Sequence, residues 1–291
     1  KNVSEQASPF ICERTGLFHK IFSPGRFALL PLQPEKRLSM KKSLIALAFG
    51  TLALGIAEFV MMGILPDIAS DLHVSISEAG HLISAYALGV CVGAPMLILA
   101  RKHPLKRILL VLVAVIMAGN VCAALAPNFW TLMAARFVSG LPHGAYFGVG
   151  SIAAEKLADK GKDSEAVSIM IAGMTIANLL GIPLGTALSS MLSWRVTFLL
   201  VGCWGMIVLY YIWRWIPPVE NLPDTGFRGQ FRFLRSPAPW LLIFATMLGN
   251  GGVFCWYSYV SPMLVHVSGF SPDRLTLLMI LAGFGMVVGN L

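Results

Sequence analysis

Residues 43–66 read SLIALAFGTLALGIAEFVMMGILP, a run whose only charge is Glu58. The hydrocarbon core of a bilayer is about 30 Å thick and takes roughly 20 helical residues at about 1.5 Å each. Within it every backbone N–H and C=O must find a partner inside the protein, which a helix supplies along its own length. The pattern recurs down the chain. Charge-poor runs occupy 79–100, 108–126, 129–154, 166–192, 196–216 and 238–262, and an eighth opens at 275 and is cut off at Leu291. The expected fold is therefore all-α, a polytopic bundle of membrane helices.

Composition agrees. Of 291 residues only 12% are charged, about half the usual share for soluble domains, and 56% are apolar before 28 glycines are added. The net charge of +8 arises in the loops between apolar runs, so it sets orientation in a bilayer and no nucleic-acid partner is expected. Five cysteines, an odd number without C-x-x-C spacing, give neither a disulfide framework nor a zinc site.

Basic residues fix the expected topology. Lys41 and Lys42 precede span one, Arg101, Lys102, Lys106 and Arg107 follow span two, and Lys156, Lys160 and Lys162 follow span four. Arg214, Arg228, Arg232 and Arg235 end or follow span six, all on the same side. The opposite loops carry Arg195 and Arg274 against Asp67, Asp71, Glu78 and Asp273. The basic side, with the N-terminus, is expected to be cytoplasmic. Trp130, Trp194, Trp213, Trp215, Trp240 and Trp256 fall near span ends, where amphipathic rings seek the interface, and Trp204 alone falls mid-span.

Residues 1–39 differ from the rest, with Pro9, Pro24, Pro31 and Pro34 and no apolar core of the signal-peptide kind. They are expected to be a disordered or artefactual extension ahead of Met40-Lys41-Lys42. An offset of 196 pairs Gly55 with Gly251, Pro66 with Pro262, Gly89 with Gly285 and Gly93 with Gly289, the trace of duplicated halves. The expected divisions are a six-helix half over 40–216, a cytoplasmic linker over 217–237, and over 238–291 the start of a second half.

Two charges lie well inside spans, Glu58 and Arg136. At the bilayer centre each costs roughly 2.5–3.5 kcal/mol, so each needs a partner or a wet cavity. Measured from Pro66 and Phe129, their depths are about 12 Å and about 10 Å. They are expected to face the bundle interior and to pair directly or through water. Either a permanent structural pair or a proton- or solute-coupling pair fits that placement. Arg136, Gly140, Gly144 and Gly148 recur every four residues on one helix stripe, and Gly173, Ala177, Gly181 and Gly185 do the same in span five, with Pro183 bending it. Close helix packing and a hinge both account for such stripes. His81 and His143 are candidate proton relays or simple hydrogen-bonding groups. Asn178, Asn250, Trp256 and Tyr257 are candidates for presenting hydrogen bonds and an aromatic face to a sugar-like solute, or, for the two rings, for anchoring at the interface.

The chain has no G-x-x-x-x-G-K-[ST], H-E-x-x-H or G-x-S-x-G motif, and one acid with one base in the spans is too little for an embedded enzyme. No cofactor or metal is expected, and the candidate catalytic set is empty.

These residues resemble the major facilitator superfamily. The stretch RFVSGLPHG at 136–144 is similar to its fourth-helix motif of arginine followed by glycines, and Gly173 through Gly181-Ile182-Pro183-Leu184-Gly185-Thr186 to its fifth-helix antiporter motif. Residues 55–74, GIAEFVMMGILPDIASDLHV, resemble the first helix of the drug and sugar efflux branch. The resemblance implies twelve helices in two halves, a cavity lined partly by helices one, four and seven, and proton-driven export with Glu58 as the carboxylate and Arg136 as its fourth-helix arginine. One departure is plain: the loop after span two is basic but lacks the family's aspartate, so the resemblance does not extend to the latch attributed to that residue. A second follows from the eighth run, which leaves helices nine to twelve outside the chain. The expected function is secondary active transport in a bacterial inner membrane, exporting a sugar, sugar derivative or amphipathic compound against protons, with no obligatory protein partner. Uptake by symport, an embedded enzyme and a nontransporting sensor are the alternatives.

Overall fold

A computed structural model describes residues 34–100, 102–219, 232–271 and 274–290. Most of the expected extension, most of the linker, and Arg101, Arg228 and Asp273 lie outside the described residues. The chain divides into Lys1–Leu38 and Ser39–Leu291, and the account below concerns the second unit.

Every regular element among the described residues is helical. In chain order they are α1 (Pro34–Asp71), α2 (Ile76–Ala100), α3 (Leu105–Ala124), α4 (Phe129–Gly140), α5 (Pro142–Leu157), α6 (Asp163–Ile176), a π-helical turn (Ala177–Gly181), α7 (Ile182–Met191) and α8 (Trp194–Trp215). After a 3₁₀ turn at Arg232–Arg235 come α9 (Pro237–Tyr257), the single turn α10 (Val260–Pro262), a π turn (Met263–Val267) and α11 (Leu275–Asn290). Six of the described helical segments are long and apolar enough to cross a membrane, α6 and α7 counting as one.

Helix boundaries follow local chemistry and differ from the sequence expectation at Pro66. Pro66 does not end the first span. It is carried inside α1, which continues to Asp71. The run 129–154 carries a local irregularity at Leu141 and Pro142, although the Leu141 backbone stays helical. Asn128 and Thr131 form a reciprocal cap that starts α4, and at its end the Leu141 N–H is shared between the carbonyls of Phe137 and Val138. Pro142 then takes the first position of α5, where its missing donor costs nothing. In the fifth span the π turn lies just ahead of Pro183, the wide turn absorbing the hydrogen bond that Pro183 cannot make.

Packing places α1 at the centre. Along α1 the fifth span approaches through its small residues: a Cβ on Gly181 would meet Ile56 Cγ1 at 2.5 Å, and one on Gly173 or Gly185 would overlap Ala48 or Val60. The second and fourth spans cross with Gly140 against the Tyr86 backbone and Gly89 against that of Phe137, and α3 lies along α8. Two apolar clusters hold the bundle, one around Leu47, Val113, Tyr146 and Ile212, the other around Ile64, Leu132, Trp194 and Phe198. α11 packs on α7 and its π turn, and a third cluster joins Met62 and Ile182 to Tyr257, Val260 and Met279. By contrast, α9 keeps most of its surface exposed.

The repeat at offset 196 is uneven in its contacts. Gly55 packs on Ala177 and Met174, whereas nothing described lies within 4 Å of a Cβ built on Gly251 or Gly285.

Candidate functional site

The two intramembrane charges come together around the middle of α1, with α2 and the α4–α5 pair as walls. Arg136 is fully buried, and its Nη1 donates to the carbonyl of Ala57 at 2.7 Å, one residue from Glu58. Its guanidinium carbon sits 4.4 Å from the ring centroid of Tyr86 and 5.6 Å from that of Phe198. Such contacts contribute about 2 kcal/mol or more where the cation is desolvated. Arg136 Nε and Nη2 have no hydrogen-bond partner among the described residues. A buried guanidinium satisfied at only one of its nitrogens is costly.

Glu58 does not meet Arg136 directly. Its Oε2 lies 3.6 Å from Nε2 of His143, an ion-pair separation longer than a hydrogen bond, with the two side chains 19% and 11% exposed. His143 Nδ1 is 2.8 Å from the Tyr86 hydroxyl, and its ring stacks on Phe147. A closed circuit results: Glu58 to His143, His143 to Tyr86, the Tyr86 face to Arg136, and Arg136 back to the carbonyl beside Glu58. The arrangement sets a carboxylate, an imidazole and a phenol side by side next to a fixed positive charge, groups of the kind that exchange protons.

Sequence arithmetic reached this grouping by a partly wrong route. The depth match took the first span to end at Pro66, but α1 runs on to Asp71. The stripe of Arg136 and Gly140 was the sounder guide, since the close approach of α4 to α2 at Gly140 sets the face on which Arg136 points inward. Gly144 continues that contact into α5 against Ala94. Gly173, Gly181 and Gly185, with Pro183 in the first turn of α7, belong to the seam between the fifth span and α1.

The remaining candidates lie elsewhere. His81 is exposed at the start of α2, its Nδ1 3.1 Å from the Glu78 carbonyl. Asn178 sits in the π turn with a buried Oδ1 that has no partner among the described residues, and its backbone carbonyl faces Gly283 of α11. Asn250 is exposed on α9 and Trp256 is 52% exposed, while Tyr257 is buried against Met62 and Ile182 with its hydroxyl unpartnered among the described residues. Among the described residues, none of these four is hydrogen-bonded to Glu58, Arg136 or His143.

Two features escaped the sequence. Tyr86 gave no periodic signal, although a lone tyrosine well inside a span asks for a hydroxyl partner. At the far end of the bundle Asp71 accepts from Arg195 Nη1 at 2.5 Å and from Trp194 Nε1 at 3.1 Å, while Arg195 Nη2 donates to the Ala126 carbonyl at 3.2 Å and Asp67 accepts from Ser189. Arg195 was counted only as a loop charge, and Trp194 is 2% exposed instead of standing at the interface. Mid-span Trp204 settles its N–H on the Phe49 carbonyl at 3.1 Å.

Comparison with known proteins adds the following. Residues 47–291 match the family model described as Major Facilitator Superfamily. AraJ of Escherichia coli strain K12 is 50% identical over 253 residues, which are 87% of this chain and 64% of that protein. A Helicobacter pylori strain G27 protein named "Probable sugar efflux transporter" is 30% identical over 249 residues, 85% of this chain and 62% of the relative. The chain thus spans under two thirds of the length of these relatives. The crystal structure of a bacterial homologue of the human lysosomal transporter Spinster, inward-facing and unoccupied, superposes with a TM-score of 0.68 at 19% identity, over 86% of this chain and 62% of that one. At that identity the likeness establishes the fold.

Proposed function

We propose, from the premise that this chain belongs to the Major Facilitator Superfamily, that the protein is a proton-coupled secondary transporter exporting a sugar, sugar derivative or amphipathic compound from a bacterial cell, with its N-terminus cytoplasmic in the inner membrane. The observation that carries the reading is the arrangement at the centre of α1: Glu58 3.6 Å from His143, beside a buried Arg136 with two donor nitrogens unpaired among the described residues. In the ionised state the Glu58 carboxylate is attracted to the Arg136 cation and draws α1 toward α4. Protonation removes that attraction and weakens the seam, so proton binding biases the equilibrium between arrangements of the helices. A bound solute that favours one arrangement is thereby linked to the proton. A membrane potential supplies about 2.3 kcal/mol per charge per 100 mV, enough to drive solute work through one protonatable group.

The kinship with a named sugar efflux protein supports the direction and the solute class. The seam residues Gly173, Gly181, Pro183 and Gly185 would be where the fifth span shifts against α1, and Gly140 with Gly144 where α4 and α5 shift against α2. Asn178, Asn250, Trp256 and Tyr257 remain the proposed polar and aromatic contacts for solute.

The test is movement of radiolabelled sugars, D-xylose first in a panel of pentoses and hexoses, by the protein in proteoliposomes under an imposed pH gradient. Gradient-dependent movement by the wild type that is lost in Arg136→Ala supports the reading. Movement indifferent to the gradient, or an Arg136→Ala protein of undiminished activity, overturns it.

A further inference from the structure

A groove on the flank of the bundle, between α2, α3 and the α4–α5 joint, has no part in the coupling just described. Its volume is about 580 Å³, within the ordinary range of small-molecule sites, roughly 300–1,000 Å³. The walls are apolar: Gly93 and Met96 from α2, Val111 and Val115 from α3, Leu141 and Ala145 from the joint. The backbones come close at its floor, where a Cβ on Gly93 would meet the carbonyl carbon of Leu141 at 2.5 Å and its Cα at 2.7 Å. Met96 is 50% and Val111 56% exposed, so the groove opens sideways, onto a surface that in a membrane-spanning bundle faces lipid.

One end of the groove is of different character. His103 and Arg107 line it there, at the loop and first turn of α3 where the span emerges. Both are exposed, and neither side chain has a hydrogen-bond or ion-pair partner among the described residues. Their neighbour Lys106 is committed elsewhere, donating to the Trp213 carbonyl at 2.7 Å. No carboxylate is among the lining residues. Val115 lies eight residues further along α3 than Arg107, about 12 Å deeper. The Arg107 cation, with the His103 imidazole beside it and neither partnered among the described residues, thus stands at the head of an apolar trough that runs toward the bilayer interior.

We propose that this groove binds one anionic phospholipid, its phosphate held by Arg107 and His103 and one acyl chain lying along Met96, Val111 and Leu141. Charge selects the occupant. A zwitterionic lipid brings its own cation to the phosphate and gains little from a second one, whereas an anionic headgroup gains the full attraction. A water-borne phosphate would make no use of the trough, and an apolar partner helix would leave the two basic groups unpaired at its end.

The test is native mass spectrometry of the protein released from nanodiscs made of equal parts phosphatidylglycerol and phosphatidylcholine. The wild type is expected to retain one phosphatidylglycerol in preference to phosphatidylcholine. Arg107→Gln should lower that preference about fivefold, the ratio one basic group near a charged membrane surface supplies. Val111→Trp should lower retention of both lipids by filling the trough. Both positions are exposed, and unchanged thermal midpoints in lipid-free detergent will show that the variants are folded. Equal retention of the two lipids by the wild type, an unchanged preference in Arg107→Gln, or phosphatidylglycerol still held by Val111→Trp would each overturn the proposal.

Discussion

Adding a single methyl group separates packing glycines from idle ones. A Cβ on Gly119 of α3 would stand 2.7 Å from the N, Cα and Cβ of Ser139 in α4. Carbon atoms settle at about 3.5–4.0 Å, so the two helices must part by roughly 1 Å, and no side chain can rotate away because two of the three obstructing atoms are backbone. Overpacking of this kind costs about 1–3 kcal/mol, with the upper end apt for a backbone obstruction. Alanine returns about 1 kcal/mol of helix propensity. Gly119→Ala is therefore expected to lose about 2 kcal/mol, roughly 4–8 °C in thermal midpoint for a chain of this size. Gly251→Ala in α9, with nothing described within 4 Å, gains the propensity and meets no obstruction, so its midpoint should rise by about 2–4 °C. Thermal unfolding of both variants in one detergent, followed by intrinsic tryptophan fluorescence, makes the comparison. A Gly119→Ala midpoint at or above that of Gly251→Ala would refute the packing geometry of α3 on α4.

Tyr86→Phe keeps the ring beneath Arg136 but removes the hydroxyl 2.8 Å from His143 Nδ1. It should lower stability by about 1–2 kcal/mol, as a buried nitrogen loses its partner, and slow gradient-driven transport while sparing solute exchange; a variant with wild-type stability and rates would count against the circuit. Arg195→Gln breaks a pair in which the arginine side chain is 34% and the aspartate 47% exposed, so a loss of about 1 kcal/mol or less, within 2–4 °C of midpoint, is expected. A fall of more than twice that would mean that the Asp71 cluster governs the far end of the bundle.

The architecture was legible because hydrophobic length and basic loops are one-dimensional signals. Arg136 could be placed on an inward face because glycines at every fourth position mark where another helix comes close, and Gly140 does lie against the Tyr86 backbone. What proline does inside a bundle was not legible. Pro66 and Pro142 are chemically alike, yet α1 runs through the first while the second opens a new helical segment in the fourth span. Partners across the bundle were hidden as well. That Glu58 would meet His143, and that Asp71 would gather Trp194 and Arg195, depends on rotations of separate helices that spacing within one helix does not encode.

The account stands on Glu58 as the group that couples protons to solute. The direct measurement is Glu58→Gln in proteoliposomes, comparing pH-driven sugar movement with counterflow exchange, which needs no net proton transfer. Coupling through Glu58 requires counterflow to continue near the wild-type rate while pH-driven movement falls to the level of protein-free vesicles. A Glu58→Gln protein that still follows the pH gradient, or one that loses both activities together, would contradict it.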